Sequence, residues 1–325
     1  MSRFQILSLS GGGIRGLFTA EVLAELENKR GVNITDHFDM ICGTSIGGII
    51  ALGLASGLKP SDLSTILKEE GQKIFPQQTW HSKFKSFYKS SYDSEPLKTV
   101  LQNIFEDKKM KDLKTRVLIP AVNYTTGQPK VFKTPHLNNY FNDLNLSLVD
   151  VALATSAAPT YFPIHEIDSQ RFVDGGLIGN SPAYFGVHEA CNFLKQKPED
   201  VFVLGIGTMG KNKTADHRKI LEQGKLQWAR SVVDLTLSSS ESLHNFWIKH
   251  ILPKEQFLFI DRALTNDQAD YIALDNAGKK ALETLIAQGK ATACSHSNDE
   301  ILSHMLEHKA ASPTFFEFTK PINQD

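Results

Sequence analysis

The amino-acid sequence predicts an α/β fold, and two observations carry the prediction. An apolar run, a glycine-rich turn and a helix-compatible segment follow one another twice near the N-terminus, first from Phe4 and again from Met40. Further on, apolar runs at 117–122, 130–133, 171–174, 201–206 and 257–260 read as strands, with segments of helical pattern among them. Strands interleaved with helices build a sheet covered by helices.

Residues 4–9 (FQILSL) are apolar enough for a buried strand, which breaks at 10–16 (SGGGIRG). Leu17, Ala20, Leu23, Ala24 and Glu27 then recur at helical spacing until Arg30-Gly31 closes the helix. A glycine loop thus sits on a helix N-terminus, where unpaired N–H groups and the positive end of the helix dipole form an anion site. Gly11, Gly13 and Gly16 match the G-x-G-x-x-G pattern of dinucleotide sites. The acidic residue that pattern requires should end the second strand, whereas Asp36 and Asp39 precede it. An oxyanion hole is the competing reading, with N–H donors aimed at charge developing on a carbonyl oxygen; a structural loop is the third. Arg15 either orders the loop by bonding carbonyls, meets a phosphate, or is solvated.

The second unit is built on 40–54. An apolar run leads into Gly43-Thr44-Ser45-Ile46-Gly47, and a helix-compatible run follows from Gly48. A G-x-S-x-G turn between strand and helix holds its serine in strained backbone geometry with the hydroxyl exposed. Gly43 and Gly47 leave room where strand and helix approach. Ser45 is therefore a candidate nucleophile, against an ordinary Gly/Ser turn. Only one strand precedes it, too few for an α/β-hydrolase, so its base need not be a histidine.

A turn at 57–60 leads into a helix, with Ser61 read as its N-cap and Pro60 just before. Residues 76–95 mix Trp80, Phe84, Phe87, Tyr88 and Tyr92 with Lys83, Lys85 and Lys89 without a clean period. They suit a lid or a contact for a membrane interface or an anionic ligand, or else a loop folded back on the core. Helices are expected at 96–105 and 147–155, and a turn at 124–127. The strand at 171–174 ends in Asp174-Gly175-Gly176. The two glycines let the chain turn at once and leave the carboxylate open. An ordinary carboxylate, with a pKa of about 4, is a weak base toward a serine hydroxyl; desolvation would strengthen it.

Composition narrows the classes. The hydrophobic share of 41% and charged share of 22% suit a globular protein, and a net charge of −1 gives no global attraction to nucleic acid. The three cysteines, Cys42, Cys191 and Cys294, are odd in number and widely spaced, which points to a reducing compartment. No apolar run approaches the roughly 18 residues of a transmembrane helix, and the N-terminus lacks a signal peptide's apolar stretch. The expectation is a cytoplasmic protein. His188, Cys191, Cys294 and His296 match no established zinc spacing, so no metal is expected.

Taken together, 11–16 (GGGIRG), 43–48 (GTSIGG), 156–163 (SAAPTYFP) and 174–182 (DGGLIGNSP) resemble the patatin-like phospholipases in order and spacing, over residues 4–205. The resemblance implies a three-layer sandwich on a central, mainly parallel sheet, and a Ser–Asp dyad without a catalytic histidine. By it Ser45 is the nucleophile, Asp174 the base, and Gly11, Gly12 and Gly13 the oxyanion hole, with Arg15 in support. It further implies a lipid acyl hydrolase needing no cofactor for its chemistry and acting on membrane phospholipid. Position 46 is Ile where the family often has a smaller residue, which would narrow the pocket beside the nucleophile. The chain is also similar to stand-alone bacterial members that cyclic dinucleotides switch on in antiphage defence. That similarity implies a cyclic dinucleotide activator and leaves oligomerisation open. Residues 206–325 are read as a helical extension packed on the same domain, with helices at 214–250, 277–288 and 299–308. The alternative to an enzyme is a nucleotide-binding or scaffold protein in which Ser45 is vestigial.

Overall fold

The computed structural model describes residues 3–77, 90–210 and 225–316. Its strands are β1 (Phe4–Leu9), β2 (Met40–Gly43), β3 (Arg116–Asn123), β4 (Gln128–Lys133), β5 (His165–Ile167), β6 (Gln170–Asp174), β7 (Val201–Ile206) and β8 (Phe257–Ile260). They form one sheet in the order β5-β6-β3-β2-β1-β7-β8, with β4 paired to β3. From β3 through β2, β1 and β7 to β8 every pairing is parallel, while β4, β5 and β6 run antiparallel to their neighbours. The sheet is mainly parallel, and β5 is a strand of three residues too short to show a period in the sequence.

Helices cover both faces, as strand alternation requires. Leu7, Leu9 and Ile41 point into one core with α1 (Gly16–Arg30), α2 (Ile46–Ser56), α3 (Pro60–Ile74), α4 (Glu95–Phe105) and α5 (Leu148–Ser156). Ile6, Met40, Cys42 and Val203 point the other way, where Ala183 and Val187 from α7 (Ala183–His188) and Ile248 from α8 (Lys225–Ile251) meet them. The one-turn α6 (Gly176–Gly179) lies just after β6. The C-terminal part contributes β8 to the sheet, together with α9 (Asn266–Ala269), α10 (Lys279–His296) and α11 (Glu300–Met305). α10 lies close on α1 at Gly289, where a Cβ would sit 3.0 Å from the Phe18 carbonyl oxygen.

One expectation changes here. Ser61 is not the cap of α3: Lys59 is the N-cap residue and Pro60 occupies the first turn. The ring sets φ for the first helical position, and the Asp62 carboxylate accepts the Lys59 N–H at 3.3 Å, so the helix starts earlier than a serine cap would put it. The 76–95 segment falls mostly outside the described residues, and its reading as a lid lies outside them too. Tyr92 is described and is buried, in edge contact with Phe75 at 5.4 Å and donating its hydroxyl to Asp275 at 2.9 Å. No helix among the described residues is long and apolar enough to cross a membrane.

Candidate active site

β2 ends at Gly43 and α2 begins at Ile46, so the chain reverses over Thr44 and Ser45. Ser45 takes φ 54° and ψ −125°, a conformation that a residue with a side chain adopts only under constraint. The constraint is visible. Its N–H donates to Thr155 Oγ1 at 3.0 Å, and Thr155 in turn donates to the Pro120 carbonyl at 2.6 Å. The Ser45 carbonyl accepts from Gly48 and Ile49 and opens α2. At Gly47 a Cβ would lie 2.3 Å from the Leu9 carbonyl oxygen, so strand and helix can approach this closely only over glycine. Gly43 meets the same condition against the Gly47 carbonyl, at 2.1 Å.

Asp174 ends β6 and reaches the turn across the sheet. Its Oδ2 accepts the Ser45 hydroxyl at 2.7 Å, and its Oδ1 accepts the Gly176 N–H at 2.7 Å. Burial pushes the Asp174 carboxyl up to about 6, with the bonds from Gly176 and Ser45 opposing that rise. Gly175 lies so near the Pro120 carbonyl that a Cβ would come within 2.1 Å of its oxygen, and this lets the carboxylate enter beside β3. No histidine lines the cleft around Ser45 among the described residues.

The glycine loop lies over the same cleft, but its members differ. The Gly11 N–H donates to the Asn180 carbonyl at 3.0 Å and is spent there. Gly12 and Gly13 line the cleft with Ser45 and Asp174, and among the described residues their N–H groups donate to no backbone carbonyl or side chain. Arg15 is buried and holds the loop from behind. It donates from Nε to the Gly12 carbonyl at 3.3 Å and from Nη1 to the Met209 carbonyl at 3.2 Å. Of the three readings of Arg15, the carbonyl-ordering one matches this placement. Burial pulls its pKa down, against Asp234, Asp261 and Glu241.

Away from these polar groups the cleft is apolar and narrow, with a cavity volume of about 70 Å³. Ile46, Ile49, Leu67, Leu101 and Phe162 are among its walls. Ile46 stands directly beside the nucleophile, as its position in the sequence suggests.

The site also uses residues whose roles no sequence motif marks: Thr155, Asn180, Thr208 and Leu274. Asn180 stands within the DGGLIGNSP run and Thr208 directly after Gly207, just past the end of β7. Thr208 Oγ1 donates to the Gly11 carbonyl at 3.0 Å, and Leu274 accepts the Ile14 N–H at 2.9 Å. Leu274 had no signal, because it acts through its backbone carbonyl alone.

A hydroxyl against a buried carboxylate, free amide N–H groups and an apolar cleft can together serve acyl transfer. The family model for patatin-like phospholipase matches residues 7–185. The chain belongs to the patatin-like phospholipase family, whose members are lipid ester hydrolases. A cGAMP-activated phospholipase of Pseudomonas aeruginosa (strain BWHPSA011 / Pa011) is 41% identical over 315 residues, 96% of this chain and 95% of that protein. A cGAMP-activated phospholipase of Vibrio cholerae serotype O1 is 38% identical, covering 90% of this chain and 91% of that protein. Human GIVD cytosolic phospholipase A2 is similar at a TM-score of 0.49 and 10% identity, over 94% of this chain and 61% of that one.

Proposed function

We propose that the protein hydrolyses acyl esters of membrane phospholipids by a Ser45–Asp174 dyad, and that a cyclic dinucleotide, cGAMP, switches it on at the membrane surface. The observation that carries the chemistry is the 2.7 Å bond from the Ser45 hydroxyl to a buried Asp174. The family, and the names of relatives aligned over nearly the whole chain, support the substrate class and the activator.

In this reading Ser45 Oγ attacks the ester carbonyl as its proton passes to Asp174 Oδ2. A carboxyl held at about 6 is ionised at neutral pH yet accepts a proton more readily than an ordinary carboxylate. The carbonyl oxygen becomes an oxyanion, which the free N–H groups of Gly12 and Gly13 receive, at the positive end of α1. With its N–H spent on Asn180, Gly11 shapes the loop and gives the oxyanion nothing. Collapse breaks the ester C–O bond, and Asp174 returns its proton to the departing lysophospholipid. Water then attacks the acyl-serine, giving its proton to Asp174, and collapse releases the fatty acid with Ser45 reprotonated. The apolar cleft takes the acyl chain. Release of fatty acid from phospholipid vesicles in the presence of cGAMP tests the reading. Ser45→Ala and Asp174→Asn should abolish it, and release by either purified variant at the wild-type rate would refute it.

A further inference from the structure

Behind the glycine loop lies a second cavity of about 290 Å³, lined by charged and polar groups that include Arg15, Asp234, Glu241, Asp261 and Arg262. Asn180, Leu237 and Leu274 line both this cavity and the acyl cleft, so the two spaces share a wall. Gly12 and Gly13 line the acyl side of that wall and Arg15 the polar side. The Gly11 carbonyl accepts Thr208 Oγ1 at 3.0 Å and Asn180 Nδ2 at 3.3 Å, and the Gly12 carbonyl accepts Arg15 Nε at 3.3 Å. Each of these carbonyls shares a planar peptide group with the next residue's N–H. Holding the Gly11 oxygen therefore fixes the direction of the Gly12 N–H, and holding the Gly12 oxygen fixes that of Gly13. All three side chains that set those planes line the polar cavity.

A second observation marks the same wall as unfinished. Asn180 is 4% exposed and its Oδ1 has no hydrogen-bond partner, while its Nδ2 donates to Glu241 at 3.0 Å as well as to the loop. Buried amide oxygens are otherwise almost always paired, so this acceptor calls for a donor in another state of the site.

We propose that the polar cavity is the effector site, that it takes a cyclic purine dinucleotide, and that its occupancy sets the Gly12 and Gly13 peptides through Arg15, Asn180 and Thr208. The assignment rests on the activation reading above. The lining discriminates between ligands. A simple anion would use Arg262 and Arg15 but leave the carboxyl oxygens of Asp234, Glu241 and Asp261 without donors. A cyclic guanine-containing dinucleotide brings phosphodiester anions for Arg262 and Arg15, and imino and amino N–H donors that carboxylates accept. The volume is close to the smallest usual for a small-molecule site, about 300 Å³. The ligand shifts the loop only as far as it prefers one set of peptide directions over the other, and bonds to the three holding side chains supply that preference.

Calorimetric titration of the full-length protein with cGAMP, beside fatty acid release, tests the proposal. Arg262→Ala removes an exposed cation at the cavity and Ser238→Trp fills the space from α8. The first loses a charge-assisted bond and the second blocks the space, so each should raise Kd at least about tenfold, with an unchanged melting temperature showing that the variant is folded. Both variants binding like wild type, while wild type is activated, would overturn the site and leave the activation reading standing. A wild-type protein that neither binds cGAMP nor responds to it would overturn the activation reading and this assignment with it. Photo-cross-linking of wild type with an azido-substituted cGAMP needs no variant. Adducts within 234–242 or 261–274 are expected, and adducts confined to other segments would contradict the site.

Discussion

Thr155 braces Ser45 from below: its hydroxyl accepts the Ser45 N–H at 3.0 Å and donates its own O–H to the Pro120 carbonyl at 2.6 Å. One side chain thereby ties α5 and β3 to the residue whose φ of 54° is the most demanding feature of the site. Thr155→Val keeps the shape and leaves a donor and an acceptor unpaired in the interior. It should cost about 2 kcal/mol of stability and lower kcat about ten- to hundredfold through misplacement of the hydroxyl. Thr155→Ser should restore most of both. Denaturant midpoints and initial rates on a soluble ester check this.

Asp174 predicts the pH dependence. As a general base it must be ionised, so kcat/KM should rise with pH through about 6 and level off above. A profile flat between pH 5 and 8 would contradict this. Stability runs the other way. A carboxyl whose folded pKa lies above its unfolded value favours the folded state at low pH, and that contribution is lost as pH rises through the folded pKa. Asp174→Asn should therefore melt higher than wild type at pH 8, with the difference closing near pH 4, although it is inactive. Melting curves at the two pH values decide it.

How much of this could be read in the chain differs from residue to residue. Ser45 and Asp174 were legible because each sits at a strand end flanked by glycines, and local sequence dictates such turns. At α3, Ser61 offers only cap propensity, whereas the Pro60 ring settles the first turn. The division of labour within the glycine loop was not legible. Gly11, Gly12 and Gly13 are identical in the sequence, and it is the Asn180 carbonyl, 169 positions away, that takes the N–H of the first. Glu241 and Asp261 likewise gain meaning only when folding brings them behind Arg15.

Glycine substitutions separate crowding from backbone preference. Gly47→Ala places a Cβ 2.3 Å from the Leu9 oxygen and 2.6 Å from the Ser10 oxygen, backbone atoms that cannot turn away. The loss should exceed about 3 kcal/mol, with little soluble protein recovered. Gly31→Ala, at φ 62° with open space around it, should cost only about 1 kcal/mol. Equal losses in chemical denaturation would contradict the packing argument.

Ile46 should act on specificity. It is 8% exposed and lines the acyl cleft beside Ser45. Ile46→Ala should improve the ratio of kcat/KM for acyl groups branched near the carbonyl over straight-chain ones by about tenfold, the usual scale for methylene-sized changes in an apolar pocket. An unchanged ratio would remove Ile46 from the list of residues that shape the substrate.

Acyl transfer by this dyad requires that Asp174 activate the Ser45 hydroxyl. The direct measurement is fluorophosphonate labelling in the presence of cGAMP, with the modified peptide identified by mass spectrometry. The predicted result is a single adduct on Ser45 in the wild-type protein, lost or slowed at least about a hundredfold in Asp174→Asn. An adduct on another residue, or labelling of Asp174→Asn at the wild-type rate, would contradict it.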